Sequence, residues 1–164
     1  MQVSENILKW GMRLYPPLLL QRIWVQKIHK DFRGADVKIN RSLFTLNFGK
    51  ATFGGTIYSG TDPFYAMLFG QILRNKNYHI TIWLKSASIQ FLKPARTDLY
   101  YKIHITEEMI TEMENELNSK SVFVKTYPIE IYSKSSELCA IAKNEIYVRK
   151  KQYTNQNKTN TLAL

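Results

Sequence analysis

The sequence predicts an α+β domain: a curved antiparallel β-sheet wrapped around one long central α-helix, with an extra helix at the N-terminus. Three observations carry this expectation. Residues 56–73, and above all the stretch "FYAMLFGQIL", are apolar on every face, so a helix there has no side to show to water. The segments that follow alternate apolar and polar residues with the period of two of half-buried strands. At 164 residues, 45% of them apolar and 22% charged, the chain can also bury a substantial single core. A helix buried all round among half-buried strands has to be enclosed by them. A flat sheet cannot hide it on every side, so a second protomer is expected to complete the cover.

The elements follow in order. Ser4 can cap a short amphipathic helix carrying Ile7, Leu8, Met12 and Leu14, which must stop near Pro16 and Pro17. Residues 21–30 and 35–40 read as two strands around a turn at "DFRGAD", with Gly34 in the turn. The central helix comes next, over 56–73. "HITIWLKSASIQFLKP", "DLYYKIHIT", "VFVKTYPIEIY" and "ELCAIAKNEIYVRK" form four strands. In the second of these Leu99, Tyr101, Ile103 and Ile105 share one face; in the third Phe123, Tyr127, Ile129 and Ile131 do. Between those two strands "TEEMITEMENEL" sets Met109, Met113 and Leu117 at helical spacing among glutamates, as a surface helix or an irregular excursion. Residues 1–148 are expected to form one domain, and residues 149–164 a basic, polar tail without periodicity, expected to be disordered.

Lys and Arg number 23 against 13 Asp and Glu, a formal charge of +10. Arg149, Lys150, Lys151 and Lys158 fall in the last sixteen positions, where there is no acid, which leaves +6 for residues 1–148. Such a surface favours anionic partners: a phosphate-bearing ligand, anionic lipid or nucleic acid. Cys139, the only cysteine, lies in "LCAIA" and reads as a buried small hydrophobe, so neither an internal disulfide nor an oxidising compartment is indicated. The N-terminus is broken by Lys9, Arg13 and a Pro pair, unlike a signal peptide, and no run approaches the about 20 apolar residues of a membrane span. A cytoplasmic protein is expected. His29, His79 and His104 are too scattered for a metal site, and neither a phosphate-cradling loop nor a serine elbow occurs.

The informative stretch is "NFGKATFGGTIYSGTDPFY", residues 47–65. One helix cradled by a curved antiparallel sheet is the hotdog architecture, and within it "NFGKATFGGTIYSGTD" resembles the acyl-CoA thioesterases of the hotdog superfamily, the phenylacetyl-CoA thioesterase type. That type carries an Asn, a loop ending in His-Gly-Gly, and an acid seven residues after the second glycine. Asn47, Gly54, Gly55 and Asp62 fall at those spacings. A longer resemblance, over about residues 10–148 and including "KSASIQFLKPAR", is to a bacterial hotdog family described as thioesterases. Two positions depart from the pattern: Phe53 stands where many relatives have His, and Pro63 directly follows the acid.

Thioester hydrolysis needs a donor aimed at the carbonyl oxygen and a group that attacks or activates water. Gly54 and Gly55 before a helix suit the first, because bare backbone approaches a ligand closely and the helix start offers free N–H groups. They equally suit a simple tight turn into the helix. Asp62 suits the second as base or nucleophile, its pKa raised by apolar surroundings. "TDPF" is also an ordinary helix start, with Asp62 as N-cap and Pro63 in the first turn. Asn47 can orient water or carbonyl, matching the family's polar assistant, or can satisfy its own turn. Phe53, Tyr58 and Tyr65 are the expected walls of a substrate site. Alternation from Trp83 through Ala87, Ile89 and Phe91 puts Lys85 on the apolar face. There it would contact Asp62 or a ligand carboxylate or phosphate, unless a bulge turns it outward or its aliphatic stem snorkels to the surface.

The resemblance therefore implies an acyl-CoA or other acyl-thioester hydrolase, working without a cofactor, as a homodimer or homotetramer with sites at the protomer interface. A non-catalytic acyl-CoA or fatty-acyl binder on the same fold is the alternative, consistent with Phe53 and Pro63. A basic nucleic-acid or membrane-surface module rests on charge alone, and no specific nucleic-acid motif is present.

Overall fold

Ser4 opens the first helix, α1 (Glu5–Leu14), its hydroxyl accepting the Ile7 amide at 3.3 Å. The computed structural model describes residues 3–151. The prolines end α1 as expected, yet a second short helix, α2 (Pro16–Leu20), begins on them, since a missing amide and fixed φ suit a first helical turn. Arg13 ties α1 to the first strand, β1 (Ile23–Ile28): its Nε donates to the Val25 carbonyl at 2.8 Å, and its guanidinium lies 4.6 and 4.4 Å from the Trp10 and Trp24 ring centroids. Of the expected apolar stripe, Met12 is buried and Leu8 packs on the core, whereas Ile7 and Leu14 face outward.

β1 pairs with β2 (Gly34–Ile39), and the tightness of the sheet there explains Gly34. A Cβ at that position would lie 2.3 Å from the Ile103 carbonyl oxygen, so only glycine fits against the neighbouring strand.

The central segment is helical from Gly54 to Asn75, but as two helices, α3 (Gly54–Thr61) and α4 (Pro63–Asn75), meeting at Asp62. The single helix expected over 56–73 thus starts two residues earlier and is interrupted. Pro63 has no amide for the Ser59 carbonyl and its ring crowds the preceding turn, while Asp62 itself keeps helical angles (φ −55°, ψ −61°). The carbonyls at the break find other donors. The Thr61 hydroxyl donates to the Tyr58 carbonyl at 2.8 Å, the buried Tyr101 hydroxyl to that of Gly60, and the buried Asn144 Nδ2 to that of Thr61 at 2.8 Å. Phe64, Leu68 and Phe69 of α4 are wholly buried, as the apolar pattern requires.

The remaining strands are β3 (Ile80–Phe91), β4 (Leu99–His104), β5 (Val122–Ser133) and β6 (Leu138–Lys150), with α5 (Glu107–Lys120) joining β4 to β5. All six strands form one antiparallel sheet in the order β1-β2-β4-β5-β6-β3, wrapped on α4. The inward rows are the expected ones: Leu99, Tyr101 and Ile103 in β4, and Phe123, Tyr127, Ile129 and Ile131 in β5, are all buried. The "TEEMITEMENEL" segment is the helix α5, capped by Thr106 and burying Ile110, Met113 and Leu117. β4 and β5 pair only at Leu99–Ser133 and Tyr100–Tyr132 before α5 separates them. Strand β6 continues through Arg149 and Lys150, two residues past the expected domain boundary; the rest of the expected tail, from 152 onward, lies outside the described residues.

β3 departs from simple alternation. A bulge between Leu84 and Ser86 changes its phase: Ile80, Ile82 and Leu84 turn toward the core before it, Ala87 and Ile89 after it. Trp83 therefore faces out, stacked on Tyr147 at 4.2 Å. Lys85 does not face the central helix: of its two readings, the outward bulge is the one found, and the contact with Asp62 is not. Its side chain is about half exposed, and its amine lies 3.3 Å from Glu145, not against Asp62.

Candidate functional site

The loop before α3 is held by its own hydrogen bonds. The Asn47 amide donates to the Ala51 carbonyl at 2.8 Å, and the Ala51 amide returns a bond to Asn47 Oδ1 at 3.1 Å. Asn47 thus uses its side-chain oxygen to close the 47–51 turn, the second of its two readings; its Nδ2 has no partner among the described residues. Next, the Thr52 amide donates to Ala95 (2.8 Å) and that of Phe53 to Thr45 (2.7 Å), which pins the entry to α3.

At the helix start the Thr56 and Ile57 amides both donate to the Phe53 carbonyl, at 3.0 and 3.2 Å, while the Gly54 and Gly55 amides have no backbone acceptor among the described residues. The two glycines matter here for space and not for unusual angles, since neither has a positive φ. A Cβ on Gly55 would lie 2.4 Å from Phe53 Cε1, and one on Gly54 3.0 Å from Phe91 Cζ. Two aromatic rings therefore close on bare backbone. Phe53, Phe91 and Leu92 are each about half exposed, and Tyr58 is more than a third exposed, so the helix start has an apolar rim open to the outside.

Asp62 occupies the break between the helices. Its carboxylate makes no capping hydrogen bond and has no ion-pair partner among the described residues. It reaches solvent, yet the surrounding protein desolvates it enough to push its pKa above the ordinary value of 3.8. An unpartnered, partly desolvated carboxylate is a stronger base than a capped one, and it is free to bond a substrate or water.

Tyr65 and Tyr58 differ in setting. Tyr65 is buried, stacked on Tyr127 at 4.9 Å, and donates its hydroxyl to the Pro128 carbonyl at 3.0 Å; burial pushes its pKa up to about 12. That hydroxyl is already committed to β5, leaving Tyr58 as the tyrosine with an open face. Lys85, turned away on its bulge, is not brought to Asp62.

Asn144 is a site residue that the sequence reading missed. Strand β6 sends Ala140, Ala142, Ile146 and Val148 inward, and Asn144 is the polar residue in that row, wholly buried. A polar side chain in an inward phase was the available signal. Its amide holds the Thr61 carbonyl, one residue before Asp62, while its Oδ1 and the adjacent buried Tyr127 hydroxyl lack partners among the described residues. Replacing Asn144 by Ala should cost about 1–3 kcal/mol by orphaning the Thr61 carbonyl, and should lower any Asp62-dependent turnover beyond that of a control of equal stability loss. Urea unfolding alongside turnover checks both halves.

A curved antiparallel sheet around a buried helix, with an acid at the helix break, defines the class: this is a hotdog-fold protein. The chain belongs to the family described as Domain of unknown function (DUF4442), whose model matches residues 4–148. Solved structures share the fold. A Pseudomonas aeruginosa protein of unknown function, described as a probable thioesterase, is 12% identical over 92% of this chain and 99% of its own, with a TM-score of 0.75. A thioesterase of Haemophilus influenzae is 11% identical over 94% and 97%, at 0.65. The E. coli PaaI protein from the phenylacetic acid degradation operon is 14% identical over 91% and 97%, at 0.57. No curated protein matches by sequence. Among the described residues no helix is long and apolar enough to cross a membrane.

Proposed function

We propose that this protein hydrolyses acyl thioesters, with Asp62 as base or nucleophile and the Gly54–Gly55 start of α3 polarising the thioester carbonyl. The observation that carries the reading is the Asp62 carboxylate: unpartnered, partly desolvated, and fixed by a helix break that Tyr101 and Asn144 hold. As a base, Asp62 takes a proton from water, the resulting hydroxide adds to the carbonyl carbon, and the oxyanion is held by the Gly55 amide. Collapse expels the thiolate, which takes the proton back from Asp62, giving acid and thiol. As a nucleophile, the carboxylate adds to the carbonyl carbon and the C–S bond breaks, expelling the thiolate and leaving a mixed anhydride. Water then opens the anhydride, freeing the acid and the Asp62 carboxylate, and the proton released from water goes to the thiolate to give the thiol. Water is the only co-substrate in either route, so the proposed reaction calls for no cofactor. The excess of basic residues suits the phosphates of an acyl-CoA.

Distance requires the site to be composite. Gly55 and Asp62 are seven residues apart at opposite ends of α3, so about 10 Å of helix separates them, too far to serve one carbonyl. A Gly55 from one protomer facing an Asp62 from another removes the conflict. The unpaired edge of β3 exposes Trp83 and Phe91, and Phe91 packs on Gly54 next to exposed Phe53, which supports pairing there. The expected assembly is a homodimer, or a homotetramer built from dimers. Light scattering at micromolar concentration should give at least twice the 19.2 kDa chain mass; a single-chain mass would sink the composite site.

A second reading, a non-catalytic acyl-CoA or fatty-acyl binder, is favoured by one observation. The Phe53 ring packs across Gly55, narrowing the approach to its amide. Thiol release from an acyl-CoA separates the two readings.

A further inference from the structure

One corner of the molecule exposes more apolar surface than either reading uses. Leu43, Phe44 and Phe48, in the loop between β2 and α3, are 89%, 81% and 108% exposed, and Leu20 at the end of α2 is 73% exposed. A ring more exposed than in an extended peptide stands at a protruding tip, not on a flat or concave face. Water disfavours such a cluster, and large apolar groups exposed together mark an interaction site.

The cluster is one place in the fold. The Arg22 guanidinium, two residues after Leu20, lies 5.4 Å from the Phe44 ring centroid. The Arg22 carbonyl accepts both the backbone amide and Nδ2 of Asn40 at 3.0 Å, which fastens the α2 corner to the root of the loop. Arg41 in turn donates to the Lys50 carbonyl at 3.0 Å and so closes the base of the loop. The chemistry around it is one-sided. Residues 6–30 and 37–61 together hold eight Lys or Arg and no Asp or Glu. Neither Arg22 nor Lys50 pairs with a carboxylate among the described residues, and Asp98, which accepts the Arg41 amide at 2.9 Å, is already paired with Lys38 at 2.8 Å.

We propose that this corner docks the protein on an anionic membrane surface, with Leu20, Leu43, Phe44 and Phe48 entering the headgroup boundary while Arg22 and Lys50 meet anionic headgroups. Protruding apolar tips ringed by unpaired cations suit a fluid, negatively charged interface, where the tips sink in and the cations stay among phosphates. A second copy of this chain, the competing occupant, would need a complementary hollow and would have to accept the same positive charge facing itself.

The test is co-sedimentation of the full-length protein with phosphatidylcholine vesicles, with and without about a third phosphatidylglycerol, beside light scattering and thermal melting. Wild type should bind the anionic vesicles and only weakly the neutral ones. Phe44→Ser with Phe48→Ser should lower the partition coefficient at least about tenfold with unchanged mass and melting, and Arg22→Glu should do likewise. No binding of wild type to anionic vesicles would overturn the proposal. Binding that survives the Phe44 and Phe48 changes would overturn it too, leaving bulk charge as the cause. A fall in mass in that double variant would assign the patch to self-association instead.

Discussion

Asp62→Asn is expected to lower thioester turnover by at least about a hundredfold, the scale of a lost acid–base group, without loss of stability. The two halves come from one observation. Because the carboxylate makes no capping hydrogen bond and no ion pair among the described residues, its amide replacement breaks neither. Because the folded protein raises its pKa, the charged form is disfavoured there, and the neutral amide should leave the melting temperature the same or slightly higher. The sign also sets the pH dependence. A base must be ionised, so kcat/KM should fall as pH drops through a midpoint above 3.8, and that acid limb should vanish in the variant. Unchanged turnover with unchanged melting would remove Asp62 from the chemistry. Lost stability with retained turnover would mean that the residue serves only the helix break.

Phe69→Ala is expected to be the most destabilising of the single changes considered, at about 3–5 kcal/mol. Phe69 is wholly buried at the middle of α4, its ring 6.1 Å from Tyr65 and 5.3 Å from Tyr127. Truncation opens a cavity between the helix and β5 that the sheet cannot collapse into without losing strand pairing. Urea unfolding at fixed protein concentration measures it, since any dimer makes apparent stability depend on concentration. A loss under about 1 kcal/mol would mean that α4 is not the packed centre of the domain.

The parts of the fold set by period were legible in the sequence. A segment apolar on every face has few homes besides the middle of a domain, and α4 lies there. The rows Leu99–Tyr101–Ile103 and Tyr127–Ile129–Ile131 follow from strand geometry alone. The parts set by a single irregular residue were not. One extra residue at Lys85 reverses the facing of everything before it on β3, so alternation read backwards from Phe91 put Trp83 inside and Lys85 against Asp62. Period counting cannot locate a bulge, because the signal of a bulge is a break in the period. Pro63 was visible as a helix problem, but its solution depends on Tyr101 and Asn144, distant in sequence and placed by the sheet. The spacing of Asn47, Gly54, Gly55 and Asp62 pointed to the stretch on which the proposal rests. That Asn47 spends its side-chain oxygen on its own turn, and that about 10 Å of helix separates Gly55 from Asp62, needed coordinates and length.

The most direct measurement is thiol release from a series of acyl-CoA thioesters of increasing chain length, by the purified full-length protein. Turnover well above spontaneous hydrolysis, with a preferred chain length and dependence on Asp62, is the predicted result. Saturable binding of the same acyl-CoAs without thiol release at any chain length would contradict it and leave a binding protein on the hotdog fold.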